Sequence, residues 1–300
     1  MRVLSLLPSA TEIVAALGAV DALVGVSHAC DYPARVAALP RVTGSGIDPA
    51  ALPGAVDREV RRLAAEGASL YTLDEVRIRD LSPDVILTQA LCDVCAVREG
   101  DVRALAARMT PVPRVLALSA STLEGVLDDI LAIGAALGAD DEAEELRAGL
   151  HARMRTVHDA LKRRRAPRRA VVVVEWTDPV FAGGHWVPDM VRRAGGHDLF
   201  GEAGRHSETV SVEQIRAAEP EIVLVAPCGY DLAMAEREAR GMITLGEWSF
   251  PAHVAVWALD ANALTSRPGP RVVDGVEVMA RIFNPDVFSP LVSGRAVRVR

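Results

Sequence analysis

Aromatic side chains are scarce in this 300-residue chain, at 4% of the total. Long apolar runs are missing too. None approaches the roughly 20 residues needed to cross a bilayer, so no membrane insertion is expected. Positive charge is in the minority: 33 Lys and Arg against 40 Asp and Glu leave a net charge of −7. That balance argues against a protein that follows nucleic-acid phosphates, and no nucleic-acid partner is expected. The short run Lys162-Arg163-Arg164-Arg165 ends a helical stretch, where the helix dipole accounts for it. Gly183-Gly184 and Gly195-Gly196 lack the strand–glycine–helix spacing of a dinucleotide fingerprint. There is no P-loop and no Ser–His–Asp order, which favours binding over catalysis. His185 with Glu175 is the one acid–base pair in view.

Cysteine is also rare, yet its placement is informative. Cys30 follows the apolar run Leu23-Val24-Gly25-Val26, Cys92 and Cys95 follow Val85-Ile86-Leu87, and Cys228 follows Ile222-Val223-Leu224-Val225. Ligands of open α/β sheets sit outside the carboxyl ends of the strands. Four thiols at such ends predict a shared site for a [4Fe–4S] cluster, zinc, or the cobalt of a corrinoid. The alternative is that each behaves as a small apolar residue in its own loop.

Strand and helix patterns alternate along the chain. Strands are expected over 3–6, 23–26, 69–73, 84–88 and 114–118, and then over 170–175, 221–226 and 254–259. Helical spacing covers 9–17, 56–65, 75–81, 187–193, 212–218 and 275–282, and Ser9 to Glu12 reads as a capping box. Alternation of this kind means α/β architecture with mostly parallel sheets. Between the two series lie a helix over 122–137 and a second from Asp140 to about Arg165. At 1.5 Å per residue the second is about 37 Å long. Its single apolar stripe, Leu146, Leu150, Met154, Val157 and Leu161, suits a rod that connects two lobes. The expected division is a lobe over 1–120, a helical connection over 121–167 and a lobe over 168–300. The lobes share a local theme, Ser82-Pro83-Asp84-Val85-Ile86-Leu87 in one and Glu219-Pro220-Glu221-Ile222-Val223-Leu224 in the other.

Trp176, Trp186, Tyr32, Tyr71 and Tyr230 all fall at expected strand ends, a placement that suits a flat-faced ligand. His28 and His185 are the histidines best placed to join it. His185 follows Gly183-Gly184, read here as glycines that let backbone approach a ligand. Arg267 and Arg271 lie in a Pro- and Gly-rich loop, suited either to clamping an anion or to a rim salt bridge.

In order along the chain, Leu6-Leu7-Pro8-Ser9-Ala10-Thr11-Glu12, Val24-Gly25-Val26-Ser27-His28, Asp31-Tyr32-Pro33, Pro83-Asp84-Val85-Ile86, Ala194-Gly195-Gly196 and Ser266-Arg267-Pro268-Gly269-Pro270-Arg271 resemble the cobalamin-binding proteins of ABC importers. The resemblance covers nearly the whole chain. It implies the class III solute-binding fold: two Rossmann-like lobes joined by one long backbone helix, with a small-molecule ligand between them. By the same resemblance Tyr32 contacts the corrin, Arg267 lies at the cleft, and Glu213 docks an importer permease. The chain departs from the pattern where Val76 stands for a docking glutamate, where Gln89 stands for a tryptophan after the lobe-one strand, and at Ser207 or Glu208. The expected function is binding of cobalamin or another corrinoid, with Tyr32, Gln89, Trp176, His185, Trp186, Tyr230 and Arg267 as ligand contacts. A metalloprotein or enzyme built on the cysteines, and an importer receptor, are the alternatives. Without a signal peptide or lipobox in the sequence as it stands, a cytoplasmic location is expected, or a periplasmic or cell-surface one if a signal has been removed.

Overall fold

The longest apolar runs become the inner strands. In the computed structural model, which describes residues 1–48, 51–91, 97–244, 246, 248–290 and 294–300, the chain divides into two compact units. One comprises Met1–Ala120 and Glu124–Ala148, the other Ser121–Leu123 and Gly149–Arg300.

The first unit contains β1 (Val3–Ser5), α1 (Pro8–Ala16), β2 (Leu23–Val26), β3 (Thr43–Ser45), α2 (Pro53–Ala65), β4 (Tyr71–Leu73), α3 (Glu75–Leu81), β5 (Val85–Gln89), α4 (Glu99–Ala106) and β6 (Arg114–Leu118). Its main sheet runs β2-β1-β5-β6 with every pair parallel. A parallel sheet is covered on both faces, which is why β1 and β5 read as unbroken apolar runs. Leu4, Ile78, Ile86, Val102 and Leu105 pack together at 1% exposure or less. Full burial of such a side chain is worth about 1.5–3 kcal/mol.

Helix α1 starts differently from its sequence expectation. Pro8 occupies the first turn, where its missing N–H costs nothing, and Ser9 lies inside the helix rather than capping it. A capping box does form elsewhere, between Ser211 and Gln214. The strand expected over 69–73 forms as β4, but it pairs antiparallel with β3 in a separate two-stranded ribbon, Ser45 opposite Tyr71.

Helices α5 (Leu123–Leu137) and α6 (Asp140–Arg164) follow. The 25-residue α6 begins in the first unit and ends in the second. Its apolar stripe is buried at Leu150, Met154 and Val157.

The second unit contains β7 (Arg169–Thr177), β8 (Val180–Ala182), α7 (Val187–Arg193), β9 (Gly196–Asp198), α8 (Val212–Ala217), β10 (Ile222–Val225), α9 (Leu232–Thr244), β11 (Ala255–Leu259), α10 (Ala261–Leu264), α11 (Val272–Phe283) and β12 (Ala296–Arg298). Its sheet runs β12-β11-β10-β7-β8, with β9 also on β7. Strands β7, β9, β10 and β11 pair in parallel, while β8 and β12 are antiparallel additions. Val172, Val174, Val223 and Val225 anchor the core beneath α9. Arg153 of α6 is clamped by Asp274 at 2.6 Å and by Glu277 at 2.8 and 2.9 Å, both on α11.

The architecture is therefore α/β with mostly parallel sheets and a long helix running from one unit to the other, the class III solute-binding fold. Among the described residues no helix is long and apolar enough to cross a membrane.

Candidate functional site

In each unit the strand order reverses beside the first strand. From β1 the chain passes to β2 on one side and, later, to β5 on the other. From β7 it passes to β8 and β9, then across to β10. Ligands of open α/β sheets sit at the carboxyl ends next to such reversals. In the first unit those ends lead into Leu6–Pro8, the turn from Ser27 to Cys30, and the segment after Gln89. In the second they are Glu175–Thr177 and Ala226–Tyr230.

In the first unit this region contains a pocket of about 50 Å³, lined by residues that include Leu6, Ser27, His28, Thr43 and Tyr71. The turn after β2 is tightly braced. Ser27 accepts an N–H bond from Cys30 at 3.2 Å, and Arg41 donates to the carbonyls of Ser27, at 2.9 Å, and of Cys30. Within it Cys30 turns inward. It is 1% exposed, and its sulfur meets the hydroxyls of Thr11 at 3.1 Å and Ser27 at 3.2 Å. His28, on the same turn, is exposed. Its Nδ1 lies 2.7 Å from Thr43 Oγ1, which also accepts the His28 backbone N–H at 2.9 Å, and its ring lies 5.7 Å from that of Tyr71. Partial burial, followed by the charge of Arg41, holds the His28 pKa below the usual imidazole value. Tyr32 is 46% exposed two residues beyond Cys30, and Gln89 is half-buried at the end of β5.

In the second unit, Trp176 at the end of β7 meets Tyr230, in the loop after β10, edge to face at 5.8 Å. The backbone N–H of Cys228 bonds to the Glu175 carbonyl at 2.9 Å and holds the two loops together. Thr177 donates to Glu238 of α9 at 2.7 Å. Burial first, and the Glu238 carboxylate second, raise the Tyr230 phenol. Ser266 accepts the Gly229 N–H at 3.2 Å, which brings the loop carrying Arg267 to the same end of the sheet. Arg267 itself is only 9% exposed.

His185 and Trp186 stand apart from this pair. Trp186 is 7% exposed and donates its indole N–H to the Thr265 carbonyl at 2.8 Å. His185 adopts φ +53° and stacks on Trp186 at 5.7 Å, with His206 edge-on at 5.0 Å. Its Nδ1 is buried with no hydrogen-bond partner among the described residues, and burial, then His206, lowers its pKa. Of the glycines before it, Gly184 admits the protein's own backbone, since a β-carbon there would meet the Ser207 main chain, whereas Gly183 faces the side chains of Val187 and Val173. Glu175 accepts bonds from the Gly184 N–H and the Ser207 hydroxyl, both at 3.0 Å, so it braces this loop pair.

The described residues include only two of the four thiols expected to share a site. Cys30 is interior, Cys228 is exposed, and Cys92 and Cys95 lie outside the described residues. Among the described residues no group of three or more His, Cys, Asp and Glu is arranged to hold a metal ion. Glu213 and Val76 are exposed on α8 and α3. Sequence reasoning passed over Thr43 and Glu238. Both are isolated polar residues, one in a three-residue strand and one in a helix with a small-residue face, so only the fold brings them to the site.

Two α/β units with reversals of this kind, connected by a long helix, define a bilobal solute-binding protein. The chain belongs to the periplasmic binding protein family, whose sequence pattern matches residues 3–242. It is similar to the vitamin B12-binding protein of Vibrio cholerae serotype O1, being 24% identical over 277 residues that span 92% of this chain and 86% of that one. Its fold is shared by solved structures, among them the following two. A periplasmic heme-binding protein from Pseudomonas aeruginosa has a TM-score of 0.73 at 22% identity, covering 99% of this chain and 97% of that one. The periplasmic vitamin B12-binding protein of Vibrio cholerae has a TM-score of 0.66 at 22% identity, with 95% and 96% covered.

Proposed function

We propose that this protein binds cobalamin or a closely related corrinoid and presents it to an ABC importer permease. The observation that carries the reading is the Trp176–Tyr230 pair at the switch point of the second unit. Two aromatic rings at the carboxyl ends of adjacent strands, in a chain with few aromatics, suit a large ring system that meets one by its face and the other by its edge. Tyr32 of the first unit is 46% exposed and is a separate candidate contact. Similarity to vitamin B12-binding proteins over most of the chain points the same way.

Charge separates corrinoid from heme. Corrins carry neutral carboxamide arms that donate hydrogen bonds, whereas heme carries anionic propionates. Glu238, fixed by Thr177 beside Tyr230, accepts from an amide and repels a propionate. Arg267, the cation of the adjoining loop, has little surface to offer an anion. Glu213, exposed on α8, is the proposed permease contact.

Titration of the purified protein with cyanocobalamin and with hemin, followed by tryptophan fluorescence and calorimetry, tests the reading. Cyanocobalamin should bind with a Kd of about 1 μM or tighter, and hemin at least about tenfold more weakly. Trp176→Ala should weaken cyanocobalamin binding about tenfold, equivalent to roughly 1.4 kcal/mol of lost ring contact. Tighter binding of hemin than of cyanocobalamin, or no binding of either, would refute it.

A further inference from the structure

The turn that buries Cys30 exposes an imidazole. We propose that His28 binds the cobalt of the corrinoid directly through Nε2, replacing an exchangeable ligand on the metal. The assignment rests on the corrinoid reading above and adds a covalent contact to it.

The geometry supports it in three ways. Thr43 Oγ1 holds both the backbone N–H of His28, at 2.9 Å, and the ring Nδ1, at 2.7 Å. When Nδ1–H donates to that oxygen, Nε2 keeps its lone pair. Metal-ligating histidines use their second nitrogen in this way. Secondly, the ring packs against Tyr71 at 5.7 Å and lines the pocket at the carboxyl ends of the first unit's strands. Ribbon β3–β4 supplies both supports, Thr43 and Tyr71. Thirdly, the backbone carrying the ring is rigid, with Arg41 gripping the carbonyls on either side of it. An imidazole held in place loses little freedom when it ligates.

The step is a ligand exchange. The cobalt–oxygen bond to a coordinated water breaks and a cobalt–Nε2 bond forms. The water leaves, and the oxidation state does not change.

Aquocobalamin carries such a water, whereas cyanocobalamin carries a cyanide that imidazole does not readily displace. The full chain is titrated with each and the visible spectrum recorded. Aquocobalamin bands should move on binding, cyanocobalamin bands should not, and aquocobalamin should bind at least about tenfold more tightly. His28→Ala should abolish the band shift and bring the ratio of the two affinities to about one. Thr43→Val should retain the shift and weaken aquocobalamin binding about 10- to 100-fold, as expected for loss of a group that orients a metal ligand. A band shift that survives in His28→Ala overturns the assignment. So does a wild-type protein that binds cyanocobalamin yet leaves the aquocobalamin spectrum unmoved, and in that case the corrinoid reading stands. Failure to bind either compound defeats both.

Discussion

Gly184 has no room for a side chain. A β-carbon there would lie 2.4 Å from the backbone nitrogen of Ser207 and 2.8 Å from the carbonyl carbon of His206. Main chain cannot swing aside as a side-chain tip can. Gly184→Ala must therefore push the neighbouring loops apart and strain the bond from Gly184 N–H to Glu175. The expected cost is about 2–3 kcal/mol, measured by urea unfolding; an unchanged midpoint would mean that the loops are not locked together. Sequence reasoning found this glycine pair and assigned it to the approach of a ligand, because a glycine does not announce which backbone comes close. The same limit applied to the turn after β2. Its cysteine and histidine were both legible as site residues, but which one faces outward depends on the hydroxyls of Thr11, Ser27 and Thr43. Those partners become neighbours only when α1 and β3 have taken their places.

At the scale of elements, legibility followed the strength of the burial signal. Strands β5, β7 and β10 are apolar runs covered on both faces, and they lie where the sequence placed them. Strands β3, β8 and β9 are three residues each, too short for alternation to register. Helix α9 was missed because its buried face is Ala235, Ala239 and Met242, small side chains that barely lift the periodic pattern. Helix α5 carries a group with a measurable signature. Burial, and then neighbouring Asp128, raises the Asp129 carboxyl from 3.8 to about 6, although it accepts a bond from the Ala120 N–H. The native state then holds a proton between pH 3.8 and about 6 that the unfolded chain has released, so this group lowers stability as pH rises through that window. Asp129→Asn keeps an acceptor for Ala120 and removes the charge. It should stabilise the protein by about 1 kcal/mol at pH 8, a fraction of the full linkage value because the side chain is only partly buried, and by much less at pH 4. His28 and His185 act in the opposite sense. Their lowered pKa values mean that the unfolded chain binds protons more readily below about pH 6.5, so stability is lost as pH falls there. Thermal melts of wild type and variant across pH 4–8 separate the two trends; equal melting temperatures at pH 8 would show that Asp129 is ordinarily solvated.

The whole molecule adds a long-range term that no single contact contains. A net charge of −7 sets up a field that repels an anionic ligand and leaves a neutral one unaffected. Salt weakens such fields, with a screening length of about 8 Å at physiological ionic strength. Stopped-flow association with hemin should therefore quicken as salt is raised, since screening removes the repulsion of its propionates. Association with neutral cyanocobalamin should stay flat over the same range. The comparison tests the ligand class independently of affinity, because steering acts on encounter and local contacts act mainly on dissociation. Should hemin association slow with salt instead, a local positive field around Arg267 and Arg271 would have to outweigh the net charge. The site would then be built for an anionic ring, and Glu238 could not be the group that selects its ligand.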